Sequence, residues 1–357
     1  MTPGNFDEVV ESIIPLDAGA ARRALDLQNR LTKPQGSLGI LEALGVQLCA
    51  IARTCPPPVP EPVVIAVFAG DHGVVESGVS PWPREVTAQM VANFCAGGAA
   101  INVLARHVGA DVVVVDVGVA TPIPGTATNL IRRNIALGTS NLALGPAMTR
   151  EQARAAIDVG VEIATQAVHN GARLLVTGDM GIGNTTPSAA LIAAITKKSA
   201  DEVTGRGTGI DDEMLQLKTT LIQSAVERLS PHASPIETLA ELGGFEIAAL
   251  AGYIVGAAAS RVPVVIDGVI AVASALVATE LAPNARAYLI AGHRSSEPGA
   301  RVGLAHLGLT PVLDLELRLG EGSGAALSVP LIQAAAKILR EMATFDSAGV
   351  TEKADPQ

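Results

Sequence analysis

Short apolar runs rich in Val, Ile and Leu recur along this chain, and each stops at a glycine beside a polar residue. Strands of a parallel sheet covered on both faces have this pattern. Six such runs are read: VVIAVFAGDHG (63–73), VVVVDVGV (112–119), RLLVTGDMGIGN (173–184), VPVVIDGV (262–269), AYLIAGHRSSEPG (287–299) and the alternating DLELRLGEGSG (314–324). Between them lie Ala-rich stretches of helical period, among them 96–108, 150–170 and 274–282. Strands alternating with helices predict an α/β fold, a doubly wound, mostly parallel sheet of about six strands flanked by helices. Ligands of such sheets sit beyond the carboxyl ends of the strands. Asp71, His72, Asp116, Asp179, Asp267, His293, Arg294 and Glu321 are therefore expected on one rim.

The two ends of the chain read differently from its middle. Residues 7–53 predict helices around the turn TKPQGSLG (32–39), and PPPVPEP (56–62) stiffens the passage into the first strand. Residues 326–345 predict a helix with Pro330 near its first turn. The expected organisation is a small helical domain built from residues 1–60 and 325–350, and a large α/β domain over 61–324. The tail 351–357 lacks an apolar face and is expected to be disordered.

Composition narrows the class. With 357 residues and 48% hydrophobic composition the chain can bury a full core, filled by Ala, Val, Leu and Ile because aromatic residues are scarce. A net charge of −10 argues against a broad nucleic-acid surface. The apolar stretch 247–259 and the run from Val262 are interrupted by Ser260, Arg261 and Asp267 before they reach spanning length, so core elements are expected rather than membrane helices. The acidic start NFDEVVE shows no signal pattern, and Cys49, Cys55 and Cys95 lack paired metal-site spacing; both features predict a cytoplasmic protein.

Two segments carry chemistry. Glu321, held between glycines on a turn where backbone can approach a ligand, is a candidate general base, against the plainer reading of a turn acid. In TGDMGIGNTTP (177–187), Gly178, Gly181 and Gly183 follow a strand, and Thr185 or Thr186 is placed to cap a helix with Pro187 in its first turn. N–H groups at such a turn suit a phosphate, although an ordinary tight turn fits the same residues. The spacing is neither a Walker loop nor G-x-G-x-x-G. Asp71-His72 and His293 lack metal-ligand spacing, so no metal and no cofactor is expected.

LTKPQGSLG (31–39), FAGDHGV (68–74), TGDMGIGNTTP, GRGTGIDD (205–212), GHRSSEPG (292–299) and LRLGEGSGAAL (317–327) stand in the order and spacing of one family. Over 31–350 the chain resembles the nicotinate-nucleotide:dimethylbenzimidazole phosphoribosyltransferases. The resemblance implies transfer of phosphoribose from nicotinate mononucleotide to a benzimidazole with inversion at the anomeric carbon, in lower-ligand synthesis for cobalamin. It implies Glu321 as the base, and a nucleotide and phosphate site of Gly178, Asp179, Gly181, Ile182, Gly183, Asn184, Thr185, Gly207, Lys218 and Ser295. Family members often carry Glu where this chain has Asp179, which is assigned to ribose or nicotinate positioning. For the acceptor base it implies Ser80, Gln89 and Leu319, with Trp82 as a lid or surface anchor. The implied partners are small-molecule substrates and a second copy in a homodimer, with no nucleic acid and no membrane.

Two other classes compete. A nicotinamide-dependent oxidoreductase should carry G-x-G-x-x-G after the first strand, where VFAGDHGVVESG stands instead. A non-catalytic nucleotide-binding protein would keep the Gly loops without needing Glu321.

Overall fold

A computed structural model describes residues 6–123 and 129–351. Along the chain, helices α1 (Phe6–Glu11), α2 (Ala18–Arg30) and α3 (Ile40–Ala52) precede β1 (Val63–Gly70). Then come α4 (Glu85–Ala96), α5 (Ala100–Val108), β2 (Ala110–Gly118), β3 (Leu130–Arg132), α6 (Arg150–His169) and β4 (Leu174–Met180). Helices α7 (Thr185–Thr196), α8 (Ala200–Val203), α9 (Asp212–Arg228), α10 (Pro235–Leu242) and α11 (Phe245–Ala259) lead to β5 (Val264–Ile266). The chain ends with α12 (Val269–Leu281), β6 (Leu289–Ala291), α13 (Pro298–Leu307), α14 (Ser323–Glu341) and α15 (Phe345–Ala348). The chain divides into two compact units: Pro62–Ser328 with the stretch up to Ile14, and Pro15–Glu61 with the part from Val329.

The larger unit is built on one six-stranded sheet of order β3-β2-β1-β4-β5-β6, with every described pairing parallel. The order reverses direction between β1 and β4, which is where a doubly wound sheet opens a crevice beyond its strand ends. The strand interiors are buried, as their continuous apolar runs require. Helix α11 is buried over nearly its whole length and packs on α6, so the apolar stretch 247–259 is a core helix. Contact there is backbone to backbone: a Cβ on Gly252 would lie 1.9 Å from the Ile157 carbonyl oxygen. Residues 85–108 are long and apolar enough to cross a membrane by composition, yet they form two helices, because Gly97 closes α4 in the left-handed conformation.

Five of the six expected strand runs are strands. The sixth, 314–324, is not: an isolated bridge to His293 comes from Leu313, the residue just before it, and Glu316 takes φ +56°, which breaks an extended run. Leu315 and Leu319 in it are exposed, so its alternation does not mark a buried face. The sixth strand is instead β3, a three-residue edge strand too short to leave a periodic signal. Helix α14 begins at Ser323, earlier than expected, and Pro330 lies inside it. The cause is Asp267, whose carboxylate accepts hydrogen bonds from the backbone N–H groups of Gly322 (3.2 Å) and Ala325 (2.8 Å) and so fixes the first turn.

The smaller unit packs Ala20, Ala24, Leu31, Cys49 and Leu339 into a core of its own. Its TKPQGSLG turn is held by Glu42, which accepts from Lys33 Nζ at 2.7 Å and from the Leu38 N–H at 3.1 Å. The expectation of disorder for 351–357 falls, beyond Thr351, outside the described residues.

Candidate active site

Strand β4 runs at the switch point and delivers Asp179 and the turn that starts α7. Position 181 admits only glycine, since a Cβ there would lie 2.3 Å from the Gly70 carbonyl oxygen at the end of β1 and 3.2 Å from His72 Nε2. His72 is itself held from behind by Glu246, Nε2 to Oε1 at 2.7 Å, and both side chains are fully buried. After the close approach, the Ile182 N–H donates to Thr87 Oγ1 (3.1 Å). The residue capping α7 is Asn184, not Thr185 or Thr186, and its amide turns away from the helix to donate to Asp179 Oδ2 at 3.1 Å. The N-terminus of α7, with its partial positive charge, thereby faces a small cavity lined by Gly181–Thr185, Gly207 and Lys218.

Lys218, on α9, is buried. Its Nζ donates to Thr185 Oγ1 (2.8 Å) and to the Gly205 carbonyl (3.0 Å). Burial brings its pKa down to about 8, against the upward pull of the Glu297 carboxylate. Glu297 also accepts from the Gly207 N–H at 2.8 Å, while Arg318 Nη1 donates to the Gly207 carbonyl at 2.8 Å. The Gly205–Gly207 turn is thus held through both backbone polar groups of Gly207.

Glu321 sits in three successive left-handed residues: Gly320 (φ +83°), Glu321 (+64°) and Gly322 (+92°). A non-glycine residue rarely adopts this backbone, and such strain persists where the surroundings over-determine it. Glu321 Oε2 accepts from the Ile101 N–H in the first turn of α5 at 3.1 Å. Burial raises its pKa above the usual carboxylate value; the Ile101 hydrogen bond opposes the shift and the nearby Asp267 charge adds to it. Asp179 is pushed well above that range, first by burial and then by the charges of Asp267 and Glu246, with the Asn184 hydrogen bond opposing and Glu321 adding to the rise. Asp179 Oδ1 is buried without a hydrogen-bond partner.

Both carboxylates line a cavity of about 500 Å³ whose apolar wall comprises Trp82, Val86, Met90, Ile270 and Leu319. His293, Ser295, Glu297 and Arg318 also line it, and it shares Gly181, Ile182, Asn184, Thr185 and Gly207 with the small cavity. Glu321 and the N-terminal turn of α7 therefore open on adjoining spaces at one end of the sheet. Of the expected residues, Ser80 lines only the small cavity, and its Oγ accepts from the Trp82 N–H at 3.2 Å. Gln89 is exposed on α4 and lines neither cavity. Gly178 lies within β4 against the backbone of Glu321 and lines neither.

The expected rim is only partly gathered. Asp179, His293 and Glu321 reach the cavity, but Asp116 accepts from the Gly118 and Val119 N–H groups at the exit of β2, rather than capping a helix. Asp267 caps α14, Asp71 accepts from the Ala120 N–H, and Arg294 pairs with Asp314 at 3.2 Å. Sequence reasoning missed Glu297 and Arg318; their signal was proximity, since each lies within three residues of an assigned one. Among the described residues no group of three His, Cys, Asp or Glu side chains is placed to hold a metal ion. A larger cavity of about 700 Å³, lined by Phe6, Asp158 and Pro235, contains none of these groups.

Comparison with known proteins places the chain among relatives that match it over nearly its whole length. Residues 13–350 match the family model described as Phosphoribosyltransferase. A relative from Salinispora tropica, named nicotinate-nucleotide–dimethylbenzimidazole phosphoribosyltransferase, is 53% identical over 98% of this chain and 100% of its own length. A protein of the same name from Chloroflexus aurantiacus is 55% identical over 96% of this chain and 98% of its own. The crystal structure of the enzyme of that name from Thermus thermophilus superimposes with a TM-score of 0.90 at 45% identity, covering 95% of this chain and all of that one. Fold and full-length similarity converge, and the chain belongs to the nicotinate-nucleotide–dimethylbenzimidazole phosphoribosyltransferase family.

Proposed function

We propose that this enzyme transfers phosphoribose from nicotinate mononucleotide to dimethylbenzimidazole with inversion at the anomeric carbon, releasing nicotinate and forming α-ribazole phosphate. One observation carries the reading: a buried carboxylate with a raised pKa, Glu321, lines a cavity that adjoins, through Gly181, Ile182, Asn184, Thr185 and Gly207, the smaller one where a helix N-terminus and Lys218 suit a phosphate. The 5′-phosphate is assigned to the Gly181–Gly183 turn, Thr185 and Lys218, where oriented N–H groups and a cation meet. The flat acceptor ring is assigned to the apolar wall beside Leu319 and Met90.

In the proposed step, one ring nitrogen of the acceptor attacks the anomeric carbon as the bond to nicotinate breaks. The ring would become cationic, so the proton on its other nitrogen passes to Glu321. Nicotinate leaves from a nitrogen already quaternary in the substrate and takes the bonding pair, so no acid is required. Burial suits Glu321 to this task, because a carboxylate with a raised pKa is a stronger base. Asp179, at the edge of the same space, is assigned to holding the ribose or the nicotinate ring.

Incubation of the purified protein with both substrates, followed by identification of both products and of the anomeric configuration, tests the reading. Glu321→Gln keeps shape and loses basicity; turnover should fall ~10²–10⁴-fold with nucleotide affinity little changed. Unaltered turnover would remove Glu321 from the mechanism. The enzyme is further proposed to act as a homodimer.

A further inference from the structure

We infer that Arg318 recognises the carboxylate of the donor's pyridine ring and so selects an acid-bearing nucleotide over its amide counterpart. The inference rests on the transfer proposed above and adds the residue that reads the leaving group. The wall of the larger cavity carries three carboxyl groups, Asp179, Glu297 and Glu321. The carboxylate borne by the pyridinium ring, entering a space walled by acids, lacks a favourable partner there and needs a counter-charge. Arg318 is the one Lys or Arg side chain among the described residues lining this cavity, whereas Lys218 lines only the smaller one.

Its guanidinium is placed by Nη1 donating to the Gly207 carbonyl at 2.8 Å, beside the turn assigned to the phosphate. That bond uses one of five N–H donors, and the remaining fork matches a carboxylate with two parallel hydrogen bonds. A carboxamide offers one acceptor and turns an NH₂ group toward the fork, so it forfeits both the second bond and the charge. Arg318 is three residues from Glu321, so a leaving group held by Arg318 and a proton acceptor of the same loop are fixed together. Because Arg318 is exposed rather than packed in the core, its replacement is not expected to unfold the chain.

The experiment compares kcat/KM for nicotinate mononucleotide and for nicotinamide mononucleotide, at fixed dimethylbenzimidazole, in the parent enzyme, Arg318→Met and Arg318→Lys, with thermal midpoints as a folding control. The parent should prefer the acid donor. Arg318→Met should lower kcat/KM for it by roughly ten- to a hundredfold, the scale of a charged hydrogen bond, and for the amide donor by a smaller factor. The ratio between donors should then drop at least tenfold. Arg318→Lys should restore part of the ratio, since it keeps the charge and loses the fork. Weaker retention of free nicotinate by Arg318→Met in equilibrium dialysis would support the same assignment without turnover.

Equal loss with both donors would place Arg318 at the phosphate or in loop support and overturn the inference, as would an unchanged ratio. If the parent turns over neither donor, the proposed transfer itself fails and this inference falls with it. A parent that turns over the acid donor while Arg318→Met keeps its preference sinks the inference alone.

Discussion

At the scale of single residues the site is defined by groups whose surroundings oppose their ordinary charge. Asp179 is the extreme case, buried among other acids and pushed well above the usual carboxylate range. Its proton is bound more tightly in the folded chain than in the unfolded one. The associated stability is present in acid and is lost as pH rises from the unfolded value near 3.8 through the raised one. Asp179→Asn keeps the shape and can still accept from Asn184. It should therefore be more stable than the parent at pH 7–8 by about 1–3 kcal/mol, with the advantage vanishing as pH falls toward 4. Thermal midpoints across that pH range check it, and a difference independent of pH would refute the cause. Glu321 stood out in the sequence as an acid between glycines, but for a partly wrong reason, since it ends an irregular loop and not a strand. Glu297 and Arg318 were not legible because their importance lies in where Gly207 falls in space, which spacing along the chain does not encode.

Among elements, close approach decides which positions tolerate change. Helices α6 and α11 meet through Gly160 and Gly252; a Cβ at Gly160 would stand 1.8 Å from the Ala249 carbonyl oxygen. Backbone cannot yield as a flexible side chain does. Gly252→Ala should cost about 1–3 kcal/mol or more by forcing the helices apart, read as a lower urea midpoint with the slope unchanged. Five strands were legible because the covered part of each is a near-continuous apolar run, a property local to its own residues. Edge strand β3 and the 314–322 loop were not, since pairing for one and left-handed turns for the other arise from partners far along the chain. The start of α14 shows the same: it is set by Asp267, more than fifty residues earlier.

For the molecule as a whole, the order of motifs carried more than any one of them. The alternation of strands and helices placed the strand ends together, and the Gly-rich turn and Glu321 do open on adjoining cavities. The proposed pairing of two copies predicts that specific activity and mass fall together on dilution; a fully active monomer would exclude it. Aromatic residues are few, and the single tryptophan is not in the core. Trp82 is 50% exposed and lines the same cavity as Glu321. Excited at the red edge of its absorption, where the two tyrosines do not absorb, the protein emits from that wall alone, so ligand occupancy registers optically with no label attached.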